Sequence, residues 1–179
     1  MSAAFYSAMS DVFMHEGGYV DHQSDKGGAT AYGISLRFLK SLPELAGDID
    51  GDGHVNTRDI QQLTPEMAAE FYKTYFWDHY RLDRIADQSV QTKMFNLFVN
   101  MRGKTAGLVA QRAANDLGTN LVEEDGRLGS LSFAAINELN PEQLLVCIKY
   151  QAWRVYKAIV AHDATQIVFL DGWRNRAFA

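Results

Sequence analysis

Between residues 15 and 35 the chain reads HEGGYVDHQSDKGGATAYGIS, and no other stretch limits the fold as much. Five glycines fall within it: Gly17, Gly18, Gly27, Gly28 and Gly33. Glycine costs conformational entropy on folding, so such a cluster marks tight turns or close backbone approaches. Just upstream, Phe5, Ala8, Met9, Val12, Phe13 and Glu16 recur at spacings of three and four, the period of one helix face. Glu16 therefore stands on the apolar stripe, and Gly17 and Gly18 stop the helix. Residues 19–34 lack a helical period and carry turn residues, which predicts a short glycine-rich hairpin.

Elsewhere the chain reads as helix. Ser35 caps a short helix over LRFLKSL that ends near Pro43. Thr64-Pro65-Glu66 is a strong helix start: cap, proline at the first position, acid in the first turn. Further helices are expected over 88–101, over KTAGLVAQRAANDLG with Gly118 closing it, over SFAAINEL, from Asn140-Pro141-Glu142 to about His162, and over TQIVFLDGWRNRAF. The predicted fold is mainly α, with seven or eight helices and one small β-hairpin. The 179 residues suffice for one domain, or a domain with a subdomain, around a sizeable core.

Charge argues against a nucleic-acid partner. The net charge is −5, and it divides into −6 over residues 1–100 and +1 over residues 101–179. No basic stripe of the kind that tracks phosphates is present. Cys147 is the single cysteine and lies in the apolar run LLVCIKY, so it reads as a small buried hydrophobe. With no disulfide possible, folding in a reducing cytoplasm is expected. The first residues lack the basic and apolar segments of a signal peptide, and no stretch approaches a membrane span. Membrane insertion is not expected.

A glutamate on an apolar helix face loses solvent, and this raises its pKa. A carboxyl still protonated near neutral pH suits protonation of a leaving-group oxygen. Glycoside cleavage pairs such an acid with a second carboxylate across the scissile bond. Asp25 lies in the turn SDKGG, where Gly27 and Gly28 permit a return toward the helix end, and the Thr30 hydroxyl is placed to hold a water. Gly33 lets the following segment approach closely. Asp21 is the alternative second carboxylate, without a comparable turn beside it.

The run Glu16-Gly17-Gly18-Tyr19, followed by Asp25-Lys26-Gly27-Gly28-Ala29-Thr30-Ala31-Tyr32-Gly33-Ile34, resembles the signature of glycoside hydrolase family 108, the N-acetylmuramidases of phage endolysins and related bacterial proteins. The resemblance implies a lysozyme-like α+β fold with Glu16 as catalytic acid. The order of Glu16, Asp25 and Thr30 also resembles the triad of phage-type lysozymes, where the threonine falls one residue later. Tyr19 and Tyr32 in the motif, and Trp77 at the end of a later helix, are candidate sugar contacts. For Trp77 and its neighbours Tyr75, Phe76 and Tyr80 the competing role is core packing, favoured by their helical spacing. Residues 1–92 are expected to form the catalytic region. Residues 93–179 resemble the helical peptidoglycan-binding part of the family, through DGRLGSLSFAAIN and DGWRNR. There Ser132 replaces the usual threonine, and FNLFVNMRG departs from the usual Val-Asn-x-Gly run.

A second motif is DIDGDGHVNTRD, residues 48–59. Asp48, Asp50 and Asp52 take the first, third and fifth positions of an EF-hand-type loop, with Gly53 at the sharp turn. His54 offers its carbonyl at the seventh position, and Asp59 stands at the twelfth. The aspartate at the twelfth position is a dockerin-like detail, but a single loop argues against cohesin binding and against a paired calcium sensor. Oxygen-only ligands suit Ca²⁺ in a structural role. Without an ion, the same residues make an acidic, solvated turn.

Together these readings predict a monomeric muramidase cutting the β-1,4 bond between N-acetylmuramic acid and N-acetylglucosamine. Its partner is bacterial peptidoglycan. Synthesis in the host cytoplasm and release to the wall by a holin-type route are expected of a phage endolysin; a bacterial muramidase assisting secretion is the second setting. The competing classes are a lytic transglycosylase, which needs no water-activating carboxylate, and a calcium-dependent peptidoglycan-binding module with no activity.

Overall fold

The computed structural model describes residues 2–15 and 29–179, with side chains described for 2–10 and 29–179. It is mainly α-helical, with nine α-helices and one two-stranded antiparallel sheet among the described residues. The chain divides into two compact units, Met1–Tyr75 and Phe76–Ala179. The division expected after residue 92 falls instead inside a continuous helix, Gln88–Asn100.

The first unit opens with α1 (Ala3–His15). Phe5, Ala8 and Met9 are buried, as their spacing requires of a core-facing stripe. Strands β1 (Thr30–Ala31) and β2 (Ile34–Ser35) pair Thr30 with Ser35 and Ala31 with Ile34. The two residues between them, Tyr32 and Gly33, have φ of 51° and 75°. Positive φ at both positions defines the tight hairpin turn that matches strand twist, so Gly33 serves the turn itself. Ser35 leaves the strand and caps α2 (Leu36–Ser41), its hydroxyl accepting from the Phe38 N–H at 3.2 Å. An acidic loop leads to α3 (Thr57–Gln62), and Thr64 then caps α4 (Pro65–Tyr72). The Tyr72 hydroxyl donates to the Tyr32 carbonyl at 3.2 Å and ties the hairpin tip to α4. Ala31, Ile34, Leu39, Ile60 and Tyr72 fill the core beneath. Burying each large apolar side chain contributes about 1.5–3 kcal/mol.

A π-helical turn, Lys73–Asp78, follows α4, and the boundary between the units falls inside it. The second unit holds α5 (Gln88–Asn100), α6 (Gly103–Leu117), α7 (Ser130–Glu138), α8 (Pro141–His162) and α9 (Leu170–Phe178). The long α8 is central and packs on α5, α6 and α9. Its buried residues Leu144, Ile148, Gln151, Ala152 and Tyr156 form one face. Tyr156 stacks on Trp173 of α9 with ring centroids 5.2 Å apart. Cys147 is half-buried, and burial pushes its thiol pKa up, in keeping with an unreactive packing residue.

Two long-range devices fix this unit. Buried Gln111 on α6 clamps the turn 125–129. Its carbonyl accepts from the Gly126 N–H at 2.7 Å, and its amide donates to the Asp125 carboxylate at 2.8 Å and the Arg127 carbonyl at 3.1 Å. The turn lies so close to α6 that a methyl on Gly107 would collide with the Gly126 carbonyl. At the C-terminal end of α9, the Lys93 ammonium donates to the Arg176 carbonyl at 2.7 Å, and Lys149 donates to the Phe178 carbonyl at 3.0 Å. Helix C-terminal carbonyls lack intrahelical partners and favour cations.

Burial, with the neighbouring Lys149 charge, lowers the Lys93 pKa from 10.5 to about 8. The unfolded chain thus holds this proton more tightly than the folded one. The cost of burying the charge is present in full below pH 8 and is relieved as pH rises toward 10.5. Between pH 7 and 10, wild-type unfolding free energy should rise relative to Lys93→Met by about 2 kcal/mol. Parallel urea-denaturation profiles for the two proteins would contradict this assignment.

Candidate active site and acidic loop

Glu16, Tyr19, Asp21 and Asp25, with Gly17, Gly18, Gly27 and Gly28, lie outside the described residues. What the structure does describe is the frame on either side of them. Upstream, α1 ends at His15, one residue before Glu16, and Phe5, Ala8 and Met9 on it are buried. Downstream, Thr30 opens β1, and Leu36 N–H donates to the Ala29 carbonyl at 2.9 Å, closing the hairpin at its base. Tyr32 sits at the tip in a left-handed conformation that non-glycine residues rarely adopt. Such local strain is held in place by its surroundings, here by the bond from Tyr72.

Trp77 is corrected from candidate sugar contact to core residue. It is 2% exposed and packs edge-on to Phe95, so its ring has no open face for stacking. The aromatic cluster it was grouped with separates into two. Tyr75 packs with Phe38 and Phe71 in the first unit, while Tyr80 stacks on Phe98 in the second at 4.0 Å.

The acidic loop is wound around its own carboxylates. Asp48 accepts backbone N–H groups from Gly51 at 2.9 Å, Asp52 at 3.2 Å and Gly53 at 2.8 Å. Gly51 and Gly53 both have positive φ, 74° and 86°, which glycine adopts without steric cost. Oxygens of Asp48, Asp50 and Asp52 lie within 4.8 Å of one another. No lysine or arginine pairs with these three among the described residues. Three like charges so close repel each other unless a cation is shared among them. The residues present therefore fit a hard divalent ion.

Asp59 is not part of that close group. It is fully buried, and its carboxylate accepts backbone N–H groups from Ile49 at 2.7 Å, Asp50 at 3.3 Å and Asn56 at 2.7 Å. Burial pushes its pKa up, but the bonds from Asn56, Ile49 and Asp50 outweigh this and hold it below the ordinary value. Together with Asn56, which caps α3, it forms a capping box. The His54 carbonyl, expected as a ligand, accepts from the Asn56 amide at 3.2 Å and keeps a second lone pair.

Mainly α, with a small antiparallel hairpin following the first helix, the chain has a lysozyme-like architecture. Residues 9–101 match the family Glycosyl hydrolase 108, and the chain belongs to that family. Residues 105–178 match a second family, described as Predicted Peptidoglycan domain. Among solved structures, SagA of Brucella abortus is similar at a TM-score of 0.73 and 25% identity, over 97% of this chain and 88% of that one. No curated protein matches the sequence. The chain is thus a glycoside hydrolase directed at peptidoglycan. Among the described residues, no helix is long and apolar enough to cross a membrane.

Replacing Asp59 by alanine strands three backbone N–H groups and removes one half of the capping box of α3. Loss of about 3 kcal/mol of stability is expected, in calcium or in chelator alike. Thermal unfolding of Asp59→Ala checks this, and a shift seen only with calcium present would contradict it.

Proposed function

We propose that the chain is an N-acetylmuramidase that cleaves the β-1,4 bond between N-acetylmuramic acid and N-acetylglucosamine. Membership of glycosyl hydrolase family 108 is the observation that carries this reading. Glu16 protonates the leaving glycosidic oxygen, Asp25 supplies the second carboxylate, and Thr30 orients the attacking water. Burial of Phe5, Ala8 and Met9 on α1 supports the role of Glu16, because the sequence spacing continues that face to Glu16, where a carboxyl losing solvent would favour its protonated form. Tyr19 and Tyr32 are proposed to contact the sugar. A phage endolysin released to the wall is the setting that the family resemblance favours.

Calcium is proposed as a structural ion. Asp48, Asp50, Asp52 and the His54 carbonyl would hold it, while Asp59, taken at the twelfth position, fixes the loop beneath through its backbone N–H bonds. A divalent ion there would neutralise the mutual repulsion of the three carboxylates between α2 and α3. It takes no part in the glycosidic chemistry.

Glu16→Gln should reduce release of soluble fragments from purified peptidoglycan by roughly 10²–10⁴-fold while the circular dichroism spectrum is unchanged. Activity retained in this variant would overturn the reading. Saturating Ca²⁺ at a hundredfold excess over its dissociation constant should add about 2.7 kcal/mol of stability, reversed by EGTA. Identical melting curves in calcium and EGTA would remove calcium from the account.

A further inference from the structure

The second unit contains a cleft of about 700 Å³ lined by His79, Tyr80, Arg81, Lys104, Asp125 and Arg127, among others. In a chain of net charge −5, this concentration of positive charge is unusual. The single acid lining it is already engaged, since Asp125 accepts from the Gln111 amide at 2.8 Å and from the Arg127 N–H at 2.7 Å. Arg81, Lys104 and Arg127 are exposed, and Arg81 and Lys104 make no ion pair among the described residues. Arg127 shares its charge with Asp125, whose pKa it helps to lower, while Arg81 and Lys104 add two further cations, an excess of positive charge that suits an anionic ligand.

Its walls are built, not incidental. Tyr80 lies flat on Phe98 at 4.0 Å, and its hydroxyl sits so close to α6 that a methyl on Gly103 would collide with it. On the other side, Gly126 has φ of 79°, and a methyl there would fall 2.5 Å from the Lys104 carbonyl. Arg81 is itself left-handed at φ 55°, turning the chain from the aromatic wall into the turn Leu82–Arg84. The Gln111 clamp then fixes the turn that carries Arg127.

We infer that this cleft binds the carboxylates of the peptidoglycan stem peptide. The inference rests on the reading of the chain as a peptidoglycan hydrolase. In intact peptidoglycan the lactyl carboxyl of muramic acid is consumed in the amide bond to the peptide, so the glycan strand is neutral and the stem peptide carries the negative charge. A cleft with three cations against one carboxylate, and an aromatic wall, therefore matches the peptide, not the sugar backbone. Arg127 and Arg81 offer planar forks to a carboxylate, Lys104 adds a point charge, and Tyr80 offers an apolar face. Binding here gives an acidic enzyme a local foothold on an anionic wall.

The test uses the full chain and two probes. One is purified sacculi, in a co-sedimentation assay. The other is a free stem tetrapeptide with open carboxylates, which a glycosidase cannot cleave, followed by NMR and compared with the same peptide amidated at every carboxyl group. Shifts are expected at residues 79–81, 104 and 125–128 with the open peptide only. The exposed double variant Lys104→Gln/Arg127→Gln should bind the peptide roughly tenfold more weakly. Sacculi bound while the tetrapeptide is ignored, or while its amidated form binds equally, would overturn the inference and leave the enzymatic reading standing. No association with sacculi and no cleavage of them would overturn both.

Discussion

A single buried carboxylate organises the described part of the first unit. Asp59 collects N–H groups from Ile49, Asp50 and Asn56, two of them ten and nine residues upstream, and so closes the acidic loop onto the first turn of α3. Burying a charge is costly unless it is fully hydrogen-bonded. Here the donors are backbone groups, which would themselves be costly to bury unpaired. Loop and helix thus satisfy one another. The three aspartates above, with their oxygens drawn together, are left facing outward as the group that a cation would relieve.

In the second unit the same accounting of backbone polar groups is met by long side chains. Lys93 and Lys149 supply donors to the carbonyls at the end of α9, and Gln111 satisfies the turn that follows α6. Glycines at 103, 107 and 126 allow backbone and Tyr80 to approach more closely than any side chain would permit. The outcome is a basic cleft that draws His79, Tyr80, Arg81 and Phe98 from the residues matching the hydrolase family and Asp125, Gly126, Arg127 and Leu128 from those matching the peptidoglycan family.

Local chemistry was legible in the sequence. The caps Ser35, Thr64 and Asn140, the prolines 65 and 141, and Gly118 at the end of α6 stand where their residue types predict, because a cap depends only on neighbours a few residues away. Helix α3 was missed because its first three residues are the last three of the acidic loop, and six residues show no clear period. The clamp and the lysine caps were hidden for a different reason: Lys93 and Arg176 are 83 residues apart. Trp77 shows the limit of composition, since a tryptophan suits a sugar cleft and a core equally, and only its burial against Phe95 decides. In the candidate site, the Glu-Gly-Gly-Tyr motif points to Glu16 as the candidate acid by family resemblance. The cations of the basic cleft, scattered over residues 81–127, gave no contiguous signal; the Asp125-Gly126 pair was the one local hint of a fixed turn there.

The central claim is that this chain adds water across a glycosidic bond of peptidoglycan. Mass spectrometry of the fragments it releases from purified sacculi tests that most directly. The account predicts muropeptides ending in reducing N-acetylmuramic acid. Fragments one water lighter, carrying an anhydro-muramic end, would contradict it and show a transglycosylase that uses Glu16 without an activated water.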